Sequence, residues 1–136
     1  MFDFFGIKKK TRKIKIQVTD DEPNIVQTLK DRLEMNDFDV VVAHNGSDGL
    51  KIAEQEKPDV ILLDVIMPVM NGLEALEQIR TEEAVTGKHT PIIALTADAL
   101  KGTEEKLIKA GFDGYLTKPV KIRDLANELV RLTAGN

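Results

Sequence analysis

Val60-Ile61-Leu62-Leu63-Asp64 is the stretch on which the fold turns. Four apolar residues in a row leave no polar face, so the run is a strand covered on both sides, the pattern of a parallel sheet between helices. It ends on a carboxylate. Downstream, Asn71-Gly72 is a turn signal, and Leu73, Leu76 and Ile79 recur at helical spacing as far as the loop Thr86-Gly87-Lys88. Pro91 to Leu95 is a further apolar strand that stops at Thr96. Ala97 to Ala110 then follows as a helix closed by Gly111. Gly114 to Thr117 is a short strand, Lys118-Pro119 a break, and Ile122, Leu125, Leu129 and Leu132 mark a last helix.

Upstream the same alternation holds. Ile14, Ile16 and Val18 alternate with polar residues and stop at Thr19-Asp20-Asp21, a strand ending in an acidic loop. Pro23 suits a first helical turn, and Ile25, Leu29 and Leu33 form one apolar stripe reaching about Asn36. Phe38 to Ala43 is a β-branched run; Asn45-Gly46-Ser47 breaks it and starts a helix carrying Leu50 and Ala53, which must end before Pro58. Five strands alternating with five helices through short loops define an α/β fold with a parallel sheet and helices on both faces, because parallel strands need crossover connections. In such folds the functional crevice lies at the carboxyl ends of the strands.

Those ends carry Asp20 and Asp21, Asp64, Thr96 and Lys118. Three carboxylates brought together repel, so the group wants a cation unless one of them is protonated. Oxygen donors without His or Cys select Mg²⁺ or Mn²⁺ over zinc. Thr96 is left as a hydroxyl donor and Lys118 as a compact positive charge for phosphoryl oxygens. A carboxylate can itself be the nucleophile toward phosphorus, and Asp64, at the end of the most buried strand, is the candidate phosphoacceptor. The sequence shows no P-loop, so an activated phosphoryl group must come from a donor.

Composition narrows the classes. The chain has 136 residues, enough for one domain, and no cysteine, which excludes disulfides and thiolate chemistry. Lys8, Lys9, Lys10, Arg12, Lys13 and Lys15 crowd the start although the net charge is −4, so the remainder is acidic and a poor nucleic-acid binder. No apolar run approaches the roughly 20 residues of a membrane span, and the lysines follow the short apolar stretch at Phe2, Phe4, Phe5 and Ile7 rather than precede it, unlike a secretory signal. A cytoplasmic protein is expected, with residues 1–13 as a basic, Phe-containing tail and 14–136 as one domain.

Asp20-Asp21-Glu22-Pro23, Asp64-Val65-Ile66-Met67-Pro68-Val69-Met70-Asn71-Gly72, Thr96-Ala97 and Tyr115-Leu116-Thr117-Lys118-Pro119, in this order, resemble the receiver domain of two-component response regulators of the stand-alone, chemotaxis-regulator-like type. The resemblance covers about Lys13 to Leu132. It implies a flavodoxin-like, doubly wound sheet of order 2-1-3-4-5 and phosphorylation of Asp64 from a sensor histidine kinase or a histidine phosphotransfer protein. It implies Mg²⁺ held by Asp21, Asp64 and the backbone carbonyl of Ile66, with Asp20 acting largely through water. It also implies a Thr96–Tyr115 switch pair, a cis Lys118-Pro119 bond, and a downstream protein target on the surface of helix four, strand five and helix five.

The expected function is therefore a phospho-accepting switch that catalyses only its own phosphorylation and dephosphorylation, as a monomer or weak homodimer. Two other readings compete. A Mg²⁺-dependent phosphatase with an Asp nucleophile normally carries a second Asp two residues on, where this chain has Ile66, and there is no room for a cap domain. A receiver-like module independent of phosphorylation would have no need for the full set of five residues. Thr19 stands where the family more often has an aliphatic residue, which would loosen the strand end. Ile66 cannot position an attacking water, whereas Asp98 could, which together imply slow to moderate self-dephosphorylation. No output domain follows Leu132, which leaves a stand-alone regulator or a piece of a hybrid kinase, and the Met1 start and the end at Asn136 favour the stand-alone expectation. His44 and His89 share no metal-ligand spacing and read as surface residues.

Overall fold

The computed structural model describes residues 13–67, 69–97 and 101–133. Its elements run β1 (Lys15–Thr19), α1 (Pro23–Met35), β2 (Asp39–Ala43), α2 (Gly46–Glu56), β3 (Val60–Asp64), α3 (Gly72–Thr86), β4 (Ile92–Thr96), α4 (Lys101–Ala110), β5 (Gly114–Thr117) and α5 (Ile122–Thr133). The strands pair in parallel in the order β2-β1-β3-β4-β5. The flavodoxin-like arrangement implied by the resemblance is therefore the arrangement found. β3 is the centre of the sheet, and all five of its residues are buried.

Side chains alternate across β3 and so divide the core in two. Val60 and Leu62 join Ile16, Val18, Ile93, Leu95 and Leu116 under α1 and α5, with Val26, Leu29, Leu33, Leu125 and Leu129 supplied by those helices. Ile61 and Leu63 join Ile92 and Ala94 on the other face, against Ala75, Leu76, Leu107 and Phe112. Each such buried aliphatic side chain contributes about 1.5–3 kcal/mol, which fixes the strands rigidly and with them whatever stands at their ends.

The helix boundaries follow local chemistry. α1 starts with Pro23 in its first turn, and α2 is capped by Asn45, whose side chain accepts from Asp48 N. Lys57 turns left-handed (φ 48°) to stop α2 before Pro58. α3 opens with a capping box: Asn71 accepts from Glu74 N at 2.9 Å, and Glu74 accepts from Asn71 N at 3.3 Å.

Three sequence expectations shift in detail. The buried stripe of α1 is Val26, Leu29 and Leu33, with Ile25 only partly covered, because a spacing of four drifts around a helix of 3.6 residues per turn. Leu73 is 43% exposed, and Ala75 and Leu76 carry the contact of α3. The helix expected to begin at Ala97 is described from Lys101; Ala97 itself forms a bend.

At the edge of the sheet where the strands begin, Arg80 of α3 ties three segments together. It donates to Asp113 Oδ2 (2.6 Å), to the Gly111 carbonyl (3.0 Å) and to the Thr90 carbonyl (2.9 Å), and it pairs with Glu83 at 2.5 Å. Asp113 also accepts from Ile92 N at 2.8 Å and meets His89 at 2.7 Å. His89 is thus a surface residue with a defined partner.

Candidate functional site

The five strands run in parallel, so their last residues share one rim. Asp64 closes β3 and is 4% exposed; Asp20, one residue beyond β1, is fully buried; Thr96 closes β4 and is 7% exposed. Asp21 is exposed at the lip. One carboxylate oxygen from each of Asp20, Asp21 and Asp64 can be chosen so that all lie within 4.8 Å of one another. Lys118 follows β5 and reaches across: its Nζ stands 2.9 Å from Asp20 Oδ2, 3.3 Å from Asp64 Oδ2 and 3.7 Å from Glu22 Oε1. The Lys118-Pro119 peptide is cis, as the resemblance implied. Lys118 N donates to the Thr96 carbonyl at 2.7 Å, which locks the two strand ends in register.

The electrostatics of this pit are unfavourable without a cation. Burial and then the charge of Asp20 push the Asp64 carboxyl up to about 6, although the Ile66 N–H (3.2 Å from Oδ1) and Lys118 pull it down. Burial also works against the Lys118 ammonium, yet the close approach and charge of Asp20, then of Asp64, outweigh it and raise its pKa. Asp20 Oδ1 accepts from Glu22 N at 2.9 Å. Asp20 Oδ2 is buried without a hydrogen-bond donor, so the 2.9 Å approach of Lys118 is a charge contact whose angle does not use its lone pairs. A buried, under-satisfied carboxylate beside two others, with oxygen donors alone, fits a hard divalent cation such as Mg²⁺.

The backbone between Asp64 and α3 is pinned at both ends. Gly72 N donates to the Val65 carbonyl at 2.9 Å. A Cβ on Gly72 would strike the Asp64 carbonyl oxygen and lie 2.7 Å from Val65 Cα, so only glycine lets α3 begin this close to the acidic strand end. Between the pins, Ile66 (79%) and Val69 are exposed, and Val69 takes φ 69°, a left-handed conformation that is strained for a β-branched residue.

Of the residues singled out in the sequence, Asp20, Asp21, Asp64 and Lys118 come together, with Thr96 on the same rim. Tyr115 lies half-buried on β5, its hydroxyl donating to Glu104 Oε2 of α4 at 3.2 Å; burial first, and then that bond, raise its pKa. Asp98 and residues 1–12 lie outside the described residues. Sequence reading missed the part played by Thr19. Far from loosening the strand end, it is fully buried and accepts from Gln17 Nε2 at 2.9 Å, while Gln17 Nε2 also bonds the Gly49 carbonyl of α2 at 2.9 Å. A Cβ on Gly49 would lie 2.9 Å from Thr19 Cγ2, so α2 seats itself on the segment that carries Asp20. The glycine at the fourth position of α2 was the available signal.

Residues 16–130 match the family model of the response regulator receiver domain. The chain is 40% identical over 111 residues to the alkaline phosphatase synthesis transcriptional regulatory protein PhoP of Bacillus subtilis, covering 82% of this chain and 45% of that one. It is also 40% identical over 111 residues to hybrid signal transduction histidine kinase I of Dictyostelium discoideum, covering 78% of this chain and 6% of that one. This chain thus spans less than half the length of either relative. The polar-differentiation response regulator DivK of Brucella ovis is 32% identical over 107 residues, 79% of this chain and 85% of that protein. Among solved structures, the receiver domain of a sensor histidine kinase from Pseudomonas aeruginosa, with a magnesium ion coordinated in its active-site cleft, matches with TM-score 0.77 and 34% identity over 88% of this chain and 96% of that one. The receiver domain of the Saccharomyces cerevisiae response regulator Ssk1, co-crystallised with the histidine phosphotransfer protein Ypd1, matches with TM-score 0.80 and 28% identity over 90% of each chain.

The chain therefore belongs to the response regulator receiver family, the receiving modules of two-component phosphorelays.

Proposed function

We propose that Asp64 is the phosphoacceptor and that the chain works as a phosphorylation switch. The observation that supports this reading most directly is the position of Asp64: buried at the central strand end, with Asp20 beside it and the Lys118 ammonium 3.3 Å from its Oδ2. In the proposed reaction a carboxylate oxygen of Asp64 forms a bond to the phosphorus of a phosphohistidine as the phosphorus–nitrogen bond breaks, and the freed imidazole takes a proton from solvent. Lys118 and the Thr96 hydroxyl receive the phosphoryl oxygens, where a fixed charge and a fixed donor cost no reorganisation as the bond forms.

Asp20, Asp21, Asp64 and the backbone carbonyl of Ile66 are the residues that would hold Mg²⁺. When bound, the ion would neutralise the carboxylates and the incoming phosphoryl charge. The DivK, Ssk1 and magnesium-bound relatives support a sensor histidine kinase or a histidine phosphotransfer protein as donor. On phosphorylation Thr96 turns toward the new oxygens and Tyr115 exchanges its Glu104 bond for an inward position, changing the surface of α4, β5 and α5 that a downstream protein reads. The chain turns over no substrate other than its own phosphoryl group, acts in the cytoplasm without binding nucleic acid directly, and is a monomer or weak homodimer. Among the described residues no helix is long and apolar enough to cross a membrane. Residues 14–136 are assigned to the receiver domain and residues 1–13 to the basic, Phe-containing segment before it, of which 1–12 lie outside the described residues. Ile66, exposed beside the site and unable to hydrogen-bond a water through its side chain, gives the aspartyl-phosphate a slow to moderate decay.

Intact mass after incubation with acetyl phosphate tests the reading. The native chain gains one phosphoryl group in Mg²⁺ and none without it; Asp64→Asn gains none in either. Equal labelling of the variant overturns the assignment, no gain in the native chain indicates a module that works without phosphorylation, and consumption of donor without a stable adduct indicates a phosphatase.

A further inference from the structure

Glu104 stands outside the carboxylate rim, yet it holds a side chain that shares a sheet face with Thr96. β5 pairs with β4 so that Tyr115 lies opposite Ala94 and Thr117 opposite Thr96. Alternation along β4 puts Ala94 and Thr96 on one face of the sheet, and Tyr115 packs on that same face with Leu107 and Phe112. α4 covers the face through Leu107, and Glu104 lies three residues earlier on the same side of the helix. Its Oε2 accepts from the Tyr115 hydroxyl at 3.2 Å. The ring is only half-buried, and it borders an open cleft of about 410 Å³ lined also by Asp124, Glu128 and Arg131. Arg131 is engaged elsewhere, donating to Glu128 Oε2 and to the Asp113 carbonyl, both at 2.6 Å. Among the described residues the bond to Glu104 is therefore what orients the hydroxyl, while Ala94, small and buried, sets no bulky side chain opposite the ring.

We propose that Glu104 is the restraint that sets the resting bias of the switch: its carboxylate keeps Tyr115 outward, and an inward turn must first break that bond. The inference rests on the reading of Asp64 as phosphoacceptor and Tyr115 as its switch partner, and it adds a positioning residue to that reading. A ligand shifts a two-state equilibrium only by its differential affinity for the two states. Whatever Glu104 adds to the outward state is thus subtracted from the apparent affinity for the phosphoryl group, which favours the inward one. A charged acceptor makes a stronger hydrogen bond than a neutral one, by about fivefold in an equilibrium constant. Glu104 therefore decides how strongly the phosphoryl group must act before the surface of α4, β5 and α5 changes.

The sequence holds one tyrosine and no tryptophan, so ultraviolet emission reports on Tyr115 alone. A carboxylate that accepts from a phenol hydroxyl quenches its emission by taking the proton in the excited state. Resting Glu104→Gln should therefore emit more strongly than the native chain. Titration calorimetry in Mg²⁺ with beryllium fluoride, a non-covalent mimic of the phosphoryl group, should find binding about fivefold tighter in Glu104→Gln than in the native chain. Glu105→Gln removes the same charge from the next position of α4 and should match the native chain in both readings. Tyr115→Phe removes the bond from its other end, so Glu104→Gln added to it should bring no further gain in affinity. Both glutamine substitutions fall on exposed helical positions and leave the core untouched. Native emission or native affinity in Glu104→Gln, an equal gain in Glu105→Gln, or a full further gain on top of Tyr115→Phe would overturn the restraint alone. A native chain that neither binds beryllium fluoride nor takes a phosphoryl group from acetyl phosphate would instead remove Asp64 from the reaction, and the restraint with it.

Discussion

Asp64→Asn is expected to stabilise the metal-free protein. The Asp64 carboxyl is raised from 3.8 to about 6 in the folded state, chiefly by burial and then by Asp20. A raised folded-state value means that folding favours the protonated form. The contribution of Asp64 is therefore least unfavourable below pH 3.8, becomes a penalty as the pH rises toward about 6, and stays at that level above it. At about 1.4 kcal/mol per pH unit the charged carboxylate costs about 3 kcal/mol at pH 7.5, a net figure that already includes the attraction of Lys118. Asparagine keeps the shape and carries no charge, so it escapes the penalty.

Urea unfolding in EDTA, followed by far-UV circular dichroism because the chain has no Trp and one Tyr, should find Asp64→Asn more stable by about 2–3 kcal/mol at pH 7.5. The two proteins should converge near pH 3.5. Millimolar Mg²⁺ should narrow the gap by stabilising only the native chain, since a ligand of the folded state adds stability by mass action. A native chain equal to or more stable than the variant at pH 7.5 in EDTA would refute the reasoning, because burial and Asp20 would then not dominate the site.

Gly72→Ala should cost about 2 kcal/mol or more through the collision with the backbone of Asp64, and should slow acetyl phosphate labelling even where the variant is fully folded by circular dichroism. Lys118→Met should slow labelling about a hundredfold, the usual scale for losing one fixed electrostatic donor; a rate within threefold of native would remove Lys118 from the reaction. Asp113→Asn should destabilise by about 2–3 kcal/mol, because it weakens the Arg80 pair and the bond from Ile92 N together. Its labelling rate should stay native, since the residue sits at the far edge of the sheet.

The order of elements and the acidic rim were legible because a parallel sheet writes its centre as an uninterrupted apolar run and places its last residues side by side. β1 was harder. Its alternation of Ile16 and Val18 with Gln17 and Thr19 looks like a strand with one wet face, yet Gln17 is 1% and Thr19 0% exposed, covered by α2. A hydrogen-bonded glutamine-threonine pair keeps polar letters in a dry place, and only the close approach allowed by Gly49 makes that possible. The Arg80–Asp113 link escaped for another reason: 33 residues separate the partners, and no periodicity connects side chains that meet only once the sheet is assembled. Val69 could not be read as left-handed, since nothing about valine suggests φ 69°.

The Arg80 network and the carboxylate cluster occupy opposite margins of the same sheet. One margin is structural, since its ion pairs stabilise the fold whatever the signal. The other is committed to charges that oppose folding. A change that retunes the acidic margin for a new donor or a new decay rate therefore need not disturb the ion pairs of Arg80 and Asp113 that hold the other margin together. Such a separation lets one scaffold diversify into many insulated signalling channels without first becoming too fragile to fold.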